Sequence, residues 1–201
     1  MSLGRGAVAL LFLTRAVLAQ DARLAARLDK PTLIAVNAIV DSARVSKLPT
    51  APLVDKALEG AAKGKDGPTI VSAVHLLSVR MGSAKRVLGP NPTPDEIKAA
   101  ASALDVGVSV RDLARLRAAA GKQPVTVPLA VVTDLVGQRV PIATATNVVL
   151  QLVRSGVKDP DLALFQRNVR ADNDHGADPT IVATTRARGA VARSAPTKPS
   201  E

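Results

Sequence analysis

The sequence predicts an all-α fold, a compact array of about eight or nine short helices followed by a disordered C-terminal tail. Three observations predict this fold. Aliphatic residues recur at spacings of three and four, Pro and polar capping residues mark helix starts, and Gly residues mark helix ends. Apolar residues make up 47% of the 201 residues and charged residues 22%, which is typical of a globular chain.

The first three predicted helices each carry one aliphatic face. Their apolar positions are Leu33, Val36, Val40 and Ala43, then Leu53, Ala57, Leu58 and Ala61, then Ile70, Val74, Leu77 and Met81. This spacing places the side chains on one side of a helix with 3.6 residues per turn. The second helix follows a turn at residues 47–52 and ends near Gly64, and the third begins at Gly67.

Two further helices follow the Gly-Pro-Asn-Pro break at residues 89–92. Residues 93–96 (Thr-Pro-Asp-Glu) form the capping-box pattern, with Pro at the first helical position. Ser109 is predicted to cap the fifth helix and Gly121 to end it. The apolar positions of the two helices are Ile97, Ala101, Leu104, Leu113 and Leu116.

Residues 125–136 are rich in β-branched side chains, yet they predict a helix. Val125, Leu129, Val132 and Val136 are spaced by four, three and four. Pro128 would also remove a hydrogen bond from a central β-strand.

The last predicted helices begin at Pro141, at Asp159-Pro160 and at Asp178-Pro179. In the last two, the Asp is predicted to be the N-cap residue before a Pro. The helix after Pro141 ends at Gly156, and its apolar positions are Ala145, Val148, Val149, Leu152 and Val153.

A similar turn pattern recurs at residues 107–109, 156–159 and 176–178: a Gly, a small apolar residue and then a helix cap. Helix starts mostly lie about 14 to 20 residues apart, so two helices have nearly the length of an α-solenoid repeat. The step length varies, which favours a compact irregular bundle. A short α-solenoid of helical hairpins is the alternative.

Residues 1–19 are predicted to be a signal peptide. A positively charged start precedes an eight-residue apolar run, and Val17 and Ala19 occupy the −3 and −1 positions before a cleavage that frees Gln20. The run is shorter than the ~20 residues that span a bilayer, so no transmembrane helix is expected in the mature chain. An amphipathic first helix is the alternative to a leader.

The predicted organisation is therefore a signal peptide at residues 1–19, a single helical domain at 20–186 and a disordered basic tail at 187–201. The predicted location is periplasmic or secreted, and cytoplasmic if the first segment is not a signal peptide. The absence of Cys is compatible with an oxidising compartment.

Composition limits the ligands that the chain can bind. Phe12 and Phe165 are its only aromatic residues, which disfavours binding of sugars or single-stranded nucleic acid through aromatic faces. The net charge is +10, and because the leader contains Arg5 and Arg15 but no acidic residue, its removal leaves +8. This charge favours anionic partners without specifying one.

Residues 60–67 (Gly-Ala-Ala-Lys-Gly-Lys-Asp-Gly) resemble a phosphate-binding loop only superficially. Three residues rather than four separate the first two glycines, and Asp66 stands where the motif requires Ser or Thr. We expect a Gly-rich turn between two helices. Lys63 and Lys65 leave open a generic anion site beside the next helix N-terminus.

Residues 172–178 (Asp-Asn-Asp-His-Gly-Ala-Asp) concentrate oxygen ligands beside one of the two His residues. A calcium loop with Gly176 at its sixth position would place Ala171 and Val182 at ligand positions, where neither can bind metal. We expect a helix end at Gly176 and a cap at Asp178. Metal or surface binding by this cluster is the lesser alternative.

The sequence predicts no catalytic, metal-binding or cofactor-binding residue and no cofactor. It favours a non-enzymatic interaction or scaffold module of the cell envelope that binds a protein or envelope partner. Surplus apolar residues are expected to widen one helix face for that partner, namely Val127, Val131 and Val149.

Two other functions remain open from the sequence. The chain could bind an anionic polymer, either nucleic acid or a cell-wall polyanion, through Arg186, Arg188, Arg193 and Lys198. A hydrolase would need His75 or His175 beside a carboxylate in a cleft.

Overall fold

The computed structural model describes residues 22–194, and no β-strand occurs among them. The predicted all-α fold is therefore confirmed over this range. A helical turn at residues 22–25 precedes nine longer helices. These are α1 (Lys30–Val45), α2 (Ala51–Ala62), α3 (Gly67–Leu88), α4 (Pro94–Asp105), α5 (Val110–Ala120), α6 (Thr126–Gly137), α7 (Ile142–Arg154), α8 (Asp159–Asp174) and α9 (Pro179–Ser194).

The predicted signal peptide at residues 1–19 lies outside the described residues. Helix α9 continues to Ser194, and Ala187 and Ala190 on it are buried. The helical region therefore extends beyond the predicted domain boundary at residue 186. Residues 195–201 lie outside the described residues.

The chain divides into two compact units, Met1–Val79 and Arg80–Glu201, and the boundary falls within α3. In unit 1, α1 packs against α2. Its large buried side chains are Leu24, Val36, Val40, Leu48, Leu53, Val54, Ile70 and Val74. They include the i, i+4 aliphatic positions expected of one-faced helices.

Asp29 caps helix α1. The first residue of α3, Gly67, lies against this cap. The Asp29 carboxylate accepts hydrogen bonds from the Thr32 N–H at 2.9 Å and from the Thr32 hydroxyl at 3.0 Å. These bonds hold the pKa of Asp29 below its usual value. The Thr32 hydroxyl lies so close to Gly67 that a Cβ at position 67 would overlap it.

Two glycines of α3 are expected to respond in opposite directions to substitution by alanine. Gly67→Ala should lower the free energy of unfolding by about 1–3 kcal/mol, because Thr32 is buried and must move. At Gly82 a Cβ meets no atom within 4 Å, so Gly82→Ala should add about 0.5–1 kcal/mol through helix propensity. Urea unfolding followed by circular dichroism measures both changes, and an equal response would contradict the overlap at Gly67.

In unit 2 the helices from α4 onward alternate between two layers. The even layer consists of α4, α6 and α8, in which α6 contacts both α4 and α8. The odd layer consists of α5, α7 and α9, in which α7 contacts both α5 and α9. Successive pairs α4–α5, α6–α7 and α8–α9 are also in contact, so each pair forms a hairpin spanning the layers.

Three turns between successive helices, at the ends of α4, α7 and α8, follow the pattern predicted from the sequence. Gly107, Gly156 and Gly176 have φ angles of 97°, 76° and 87°, in the left-handed region that ends helices. In each turn the next residue's N–H donates to a helix carbonyl five residues back, as from Val108 to Ala103 at 3.0 Å. These turns stop one helix and direct the chain into the next.

Three of the predicted helix caps are confirmed, and one is not. Thr93 and Glu96 form the reciprocal capping box, Ser109 accepts from the Asp112 N–H, and Asp178 accepts from the N–H groups of residues 180 and 181. Asp159, however, is the first residue of α8, and its N-cap is Lys158. A carboxylate in the first helical turn is still favoured by the helix dipole.

Candidate binding groove

A shallow groove of about 500 Å³ runs across all three helices of the even layer. Four residues of α4, four of α6 and one of α8 line it. They are Asp95, Lys98, Ala99, Ser102, Thr126, Ala130, Thr133, Asp134 and Gln166. We refer to this surface as the groove.

Small side chains form the centre of the groove. Ala99 and Ser102 lie three residues apart on α4, and Ala130 and Thr133 lie three apart on α6, so each pair occupies one helix face. The Thr133 hydroxyl donates to the Leu129 carbonyl at 3.0 Å within its own helix. This bond leaves the Thr133 methyl group as the apolar contribution of that residue.

A polar network joins α6 to α8 at one side of the groove. The Asp134 carboxylate accepts hydrogen bonds from Arg170 of α8 and from the Gln138 amide. The Asn173 amide of α8 donates to the Gln138 side-chain oxygen at 2.6 Å. The ion pair between Asp134 and Arg170 joins α6 to α8 and balances the charge of this wall.

The opposite wall carries one charge of each sign. Asp95 and Lys98 are both exposed on α4, and neither forms an ion pair within residues 22–194. The groove therefore has a small apolar centre between polar walls, with little net charge. This arrangement suits a segment that presents an aliphatic face between polar flanks.

Glu96 fixes the start of α4, one helical position away from the groove residue Asp95. It is 8% exposed, and its carboxylate accepts from the Thr93 N–H at 2.9 Å, the Val125 N–H at 3.3 Å and Arg117 at 3.3 Å. Arg117 also donates to the Gln123 carbonyl at 2.6 Å. One buried carboxylate thus ties α4 to α5 and to the loop that leads into α6.

Burial raises the pKa of Glu96, but its interactions outweigh this effect. Hydrogen bonds from the Thr93 and Val125 N–H groups, a hydrogen bond from the Thr93 hydroxyl and the charge of Arg117 all lower it. The net result is a pKa below the usual value, so the ionised form is the one that stabilises the fold.

The Gly-rich segment at residues 60–67 contains the end of α2, the turn at residues 63–66 and the first residue of α3, which agrees with the predicted turn between two helices. The Asp66 carboxylate accepts from the Thr69 N–H at 2.8 Å and thus occupies the α3 N-terminus itself. Lys63 pairs with Glu59 of α2. The generic anion site considered for Lys63 and Lys65 is therefore filled by the protein's own carboxylate.

The Asp-rich segment at residues 172–178 also has structural roles. Asp172 forms a two-bond pair with Arg186 of α9, at 2.7 and 2.8 Å, and Asp178 caps α9. The hydrogen bond from Arg186 holds the pKa of Asp172 below its usual value. Within residues 22–194, no group of three or more His, Cys, Asp or Glu side chains is placed to hold a metal ion.

Neither His residue lines the groove. His75 is exposed on α3, and His175 is the exposed C-cap of α8, where its ring Nδ1 lies against the Ala171 carbonyl. The groove contains the hydroxyls of Ser102, Thr126 and Thr133, but no imidazole.

The residues predicted to widen a partner-binding face do not form one. Val131 and Val149 are fully buried and Val127 is half-buried, so all three belong mainly to the packing of unit 2. Helix α6 contacts α4, α7 and α8. These three helices together bury a wider apolar surface of α6 than a single neighbouring helix would. The groove lies on the side of α6 that carries Ala130, and a small residue gives no hydrophobic signal in the sequence.

Comparison with protein-family models, curated proteins and solved structures finds no match for this chain. None of the helices between residues 22 and 194 combines the length and the apolar character needed to cross a membrane.

Proposed function

We propose that the chain is a non-enzymatic interaction module of the cell envelope that binds a partner protein in the groove. One observation carries this proposal: small side chains from successive helices of one layer form a continuous, uncharged centre bounded by polar walls. Such a surface allows the backbone of a bound segment to approach closely.

The alternating contacts of unit 2 support a helical-repeat interpretation. In the proposal, the hairpins α4–α5, α6–α7 and α8–α9 stack as three units of a short α-solenoid. Solenoid proteins bind partners on a surface to which several repeats contribute. The groove has this property because α4, α6 and α8 all contribute to it.

The chemistry of the groove favours an amphipathic helical segment as the bound part of the partner. An aliphatic stripe on that segment would cover Ala99 and Ala130, while its polar flanks would meet Lys98 and the Asp134 side. The proposed contact is moderate in strength, because the groove is shallow and lacks a deep pocket for an anchoring side chain.

Export to the periplasm or the exterior is part of the proposal and rests on the pattern of residues 1–19. N-terminal sequencing of the protein from fractions of its native host tests it. A chain that begins at Gln20 outside the cytoplasm is expected. A chain that retains Met1 in the cytosol would contradict export without affecting the groove.

Filling the groove is expected to abolish partner binding. Ala130→Arg places a long charged side chain across the small-residue centre, and we expect recovery of the envelope partner to fall at least about tenfold, which corresponds to 1.4 kcal/mol. Ala114→Arg, at an exposed position of α5, adds the same charge on the other layer and serves as the matched control.

The readout is quantitative affinity capture from envelope extract with each variant as bait. Circular dichroism confirms that both variants fold. A partner that the wild type and Ala114→Arg recover equally, and Ala130→Arg does not, supports the groove. Equal recovery by all three baits would contradict it.

Binding of an anionic polymer is the second candidate, and a specific feature favours it. Lys122, Arg154, Lys158 and Arg193 lie at or just beyond the C-terminal ends of the odd-layer helices, and none forms an ion pair within the described range. Arg186, by contrast, is already paired with Asp172, and Lys198 lies outside the described residues. Lys and Arg at helix C-termini also stabilise the helices themselves, which makes this candidate secondary.

The two candidates differ in their dependence on salt. Polymer binding should be strong at about 50 mM salt and weaken steeply as salt rises. Binding releases counterions from the polymer, and this release is less favourable at a higher salt concentration. Binding in the small-residue groove should change little over the same range. Binding of DNA or a teichoic-acid-like polymer that is insensitive to Ala130→Arg would favour the polymer candidate.

A further inference from the structure

Three of the large exposed aliphatic side chains of unit 2 lie in the first turns of the three odd-layer helices. Val110 and Ile142 are the first residues of α5 and α7, and Ile181 is the third residue of α9. Their exposed fractions are 52%, 37% and 65%. We refer to these three residues as the edge row.

The odd-layer helices run in the same direction, which brings these positions to one edge. A Cβ added to Gly107, just before α5, would lie 2.9 Å from the Ile142 side chain at the start of α7. At the other end, Ala120 of α5 and Gly156 after α7 line one cavity. The Ser194 hydroxyl at the end of α9 lies 3.5 Å from the carbonyl of Ser155.

The edge row is therefore a short line of exposed aliphatic groups. Packed helices lie about 8–10 Å apart, so the row from α5 to α9 spans roughly 20 Å. The first turn of a helix favours acidic and capping residues, and helix formation does not account for Val or Ile there. Aliphatic side chains grouped on a surface are typical of a contact site.

The charges beside the edge row differ in sign from one end to the other. Arg111 follows Val110, whereas Asp174 is the last residue of α8 and Asp178 caps α9, the helix that carries Ile181. None of these three forms an ion pair within residues 22–194. The other acidic residues near this edge are paired within the chain: Asp105 with Arg80, Asp112 with Arg115 and Asp172 with Arg186.

We infer that the edge row is the contact surface for a second copy of this chain. Two copies related by a two-fold axis would place their rows antiparallel, with Ile142 against Ile142 at the axis. Val110 of each copy then meets Ile181 of the other, and Arg111 of each copy faces Asp174 and Asp178 of the other. The pattern of charges is thus self-complementary.

The proposed contact between the two copies is small, so we expect it to be weak. An edge of roughly 20 Å by 20 Å buries about half of the ~800 Å² per partner that is typical of stable complexes. Arg139 lies in the central turn near the axis, where it has no opposite charge in the second copy. We therefore expect a reversible dimer that dissociates at micromolar concentrations.

Sedimentation equilibrium over about 1–300 μM, the range in which weak dimers dissociate, tests the inference. The wild-type chain is expected to form dimers, and Ile142→Asp should raise the dissociation constant at least about tenfold. Aspartate at the first helical position favours the helix, so this variant should fold. Leu164→Asp removes another exposed aliphatic residue, outside the row, and should leave the dissociation constant unchanged.

A charge exchange tests the antiparallel orientation. Arg111→Glu and Asp174→Lys should each weaken the dimer by up to about fivefold, as the loss of a surface charge pair does, and the double variant should recover most of the loss. A chain that stays monomeric at the highest concentration would overturn the inference and leave the row to a different partner. Equal effects of Ile142→Asp and Leu164→Asp, or no recovery in the double variant, would also overturn it.

Discussion

Phe165→Ala is expected to lower the free energy of unfolding by about 3–5 kcal/mol, the largest effect of any substitution considered for this chain. Phe165 is 2% exposed on α8, which packs against α6 and α9. It is also the only aromatic residue between positions 22 and 194. Removing its ring leaves a cavity that the surrounding side chains cannot fill without moving.

Thermal unfolding followed by circular dichroism measures this loss. A loss of about 4 kcal/mol corresponds to a decrease in Tm of roughly 10–15 °C for a chain of this length. The matched control is Leu164→Ala, at the neighbouring position, where the side chain is 40% exposed and the change should stay within about 0.5 kcal/mol. Similar Tm values for the two variants would show that α8 does not bury the face that carries Phe165.

Glu96→Ala is expected to destabilise the fold by about 2–4 kcal/mol, the second largest effect. The substitution removes the acceptor for the Val125 N–H and leaves Arg117 largely buried without its carboxylate. Glu59 provides the control, because it pairs with Lys56 and Lys63 on the surface of α2. Glu59→Ala should cost less than about 1 kcal/mol.

The contribution of Glu96 should also depend on pH in a defined direction. Its folded-state pKa is lowered, so its contribution is fully present above the unfolded value of about 4.3 and is lost as the pH falls through the folded-state pKa. The stability difference between wild type and Glu96→Gln should therefore be constant near pH 7 and shrink in acid. A difference that persists unchanged at acidic pH would contradict the assigned role of the ionised carboxylate.

Local sequence patterns were sufficient to predict the helices. The spacing of Val125, Leu129, Val132 and Val136 predicted a helix despite the β-branched side chains around them. Val125, the N-cap of α6, is buried, as are Leu129 and Val132 within the helix, whereas Val136 is half-buried. The capping box at Thr93 and Glu96 could also be predicted from the sequence, because its two residues lie within one helical turn of each other.

Features that depend on contacts between helices could not be predicted in the same way. The groove joins Ala99, Ala130 and Gln166, which are separated by tens of residues, and no local pattern reports their proximity. Burial of Val131 and Val149 follows from the number of helices around them. In the last helix, Ala187 and Ala190 pack closely because they are small, although a stretch poor in large aliphatic residues resembles a disordered tail.

Distances between spin labels in the even layer test the central claim most directly, since the groove and the edge row both require stacked hairpins. The chain contains no Cys, so pairs of introduced thiols can be labelled specifically. Labels at Ser102 and Ala130, and at Ala130 and Gln166, should lie about 10–20 Å apart, given helix spacings of 8–10 Å. Labels at Ala130 and Ala114, on opposite layers, should lie farther apart, at about 25 Å or more. Even-layer distances as long as the distance across the layers would contradict the stacked arrangement.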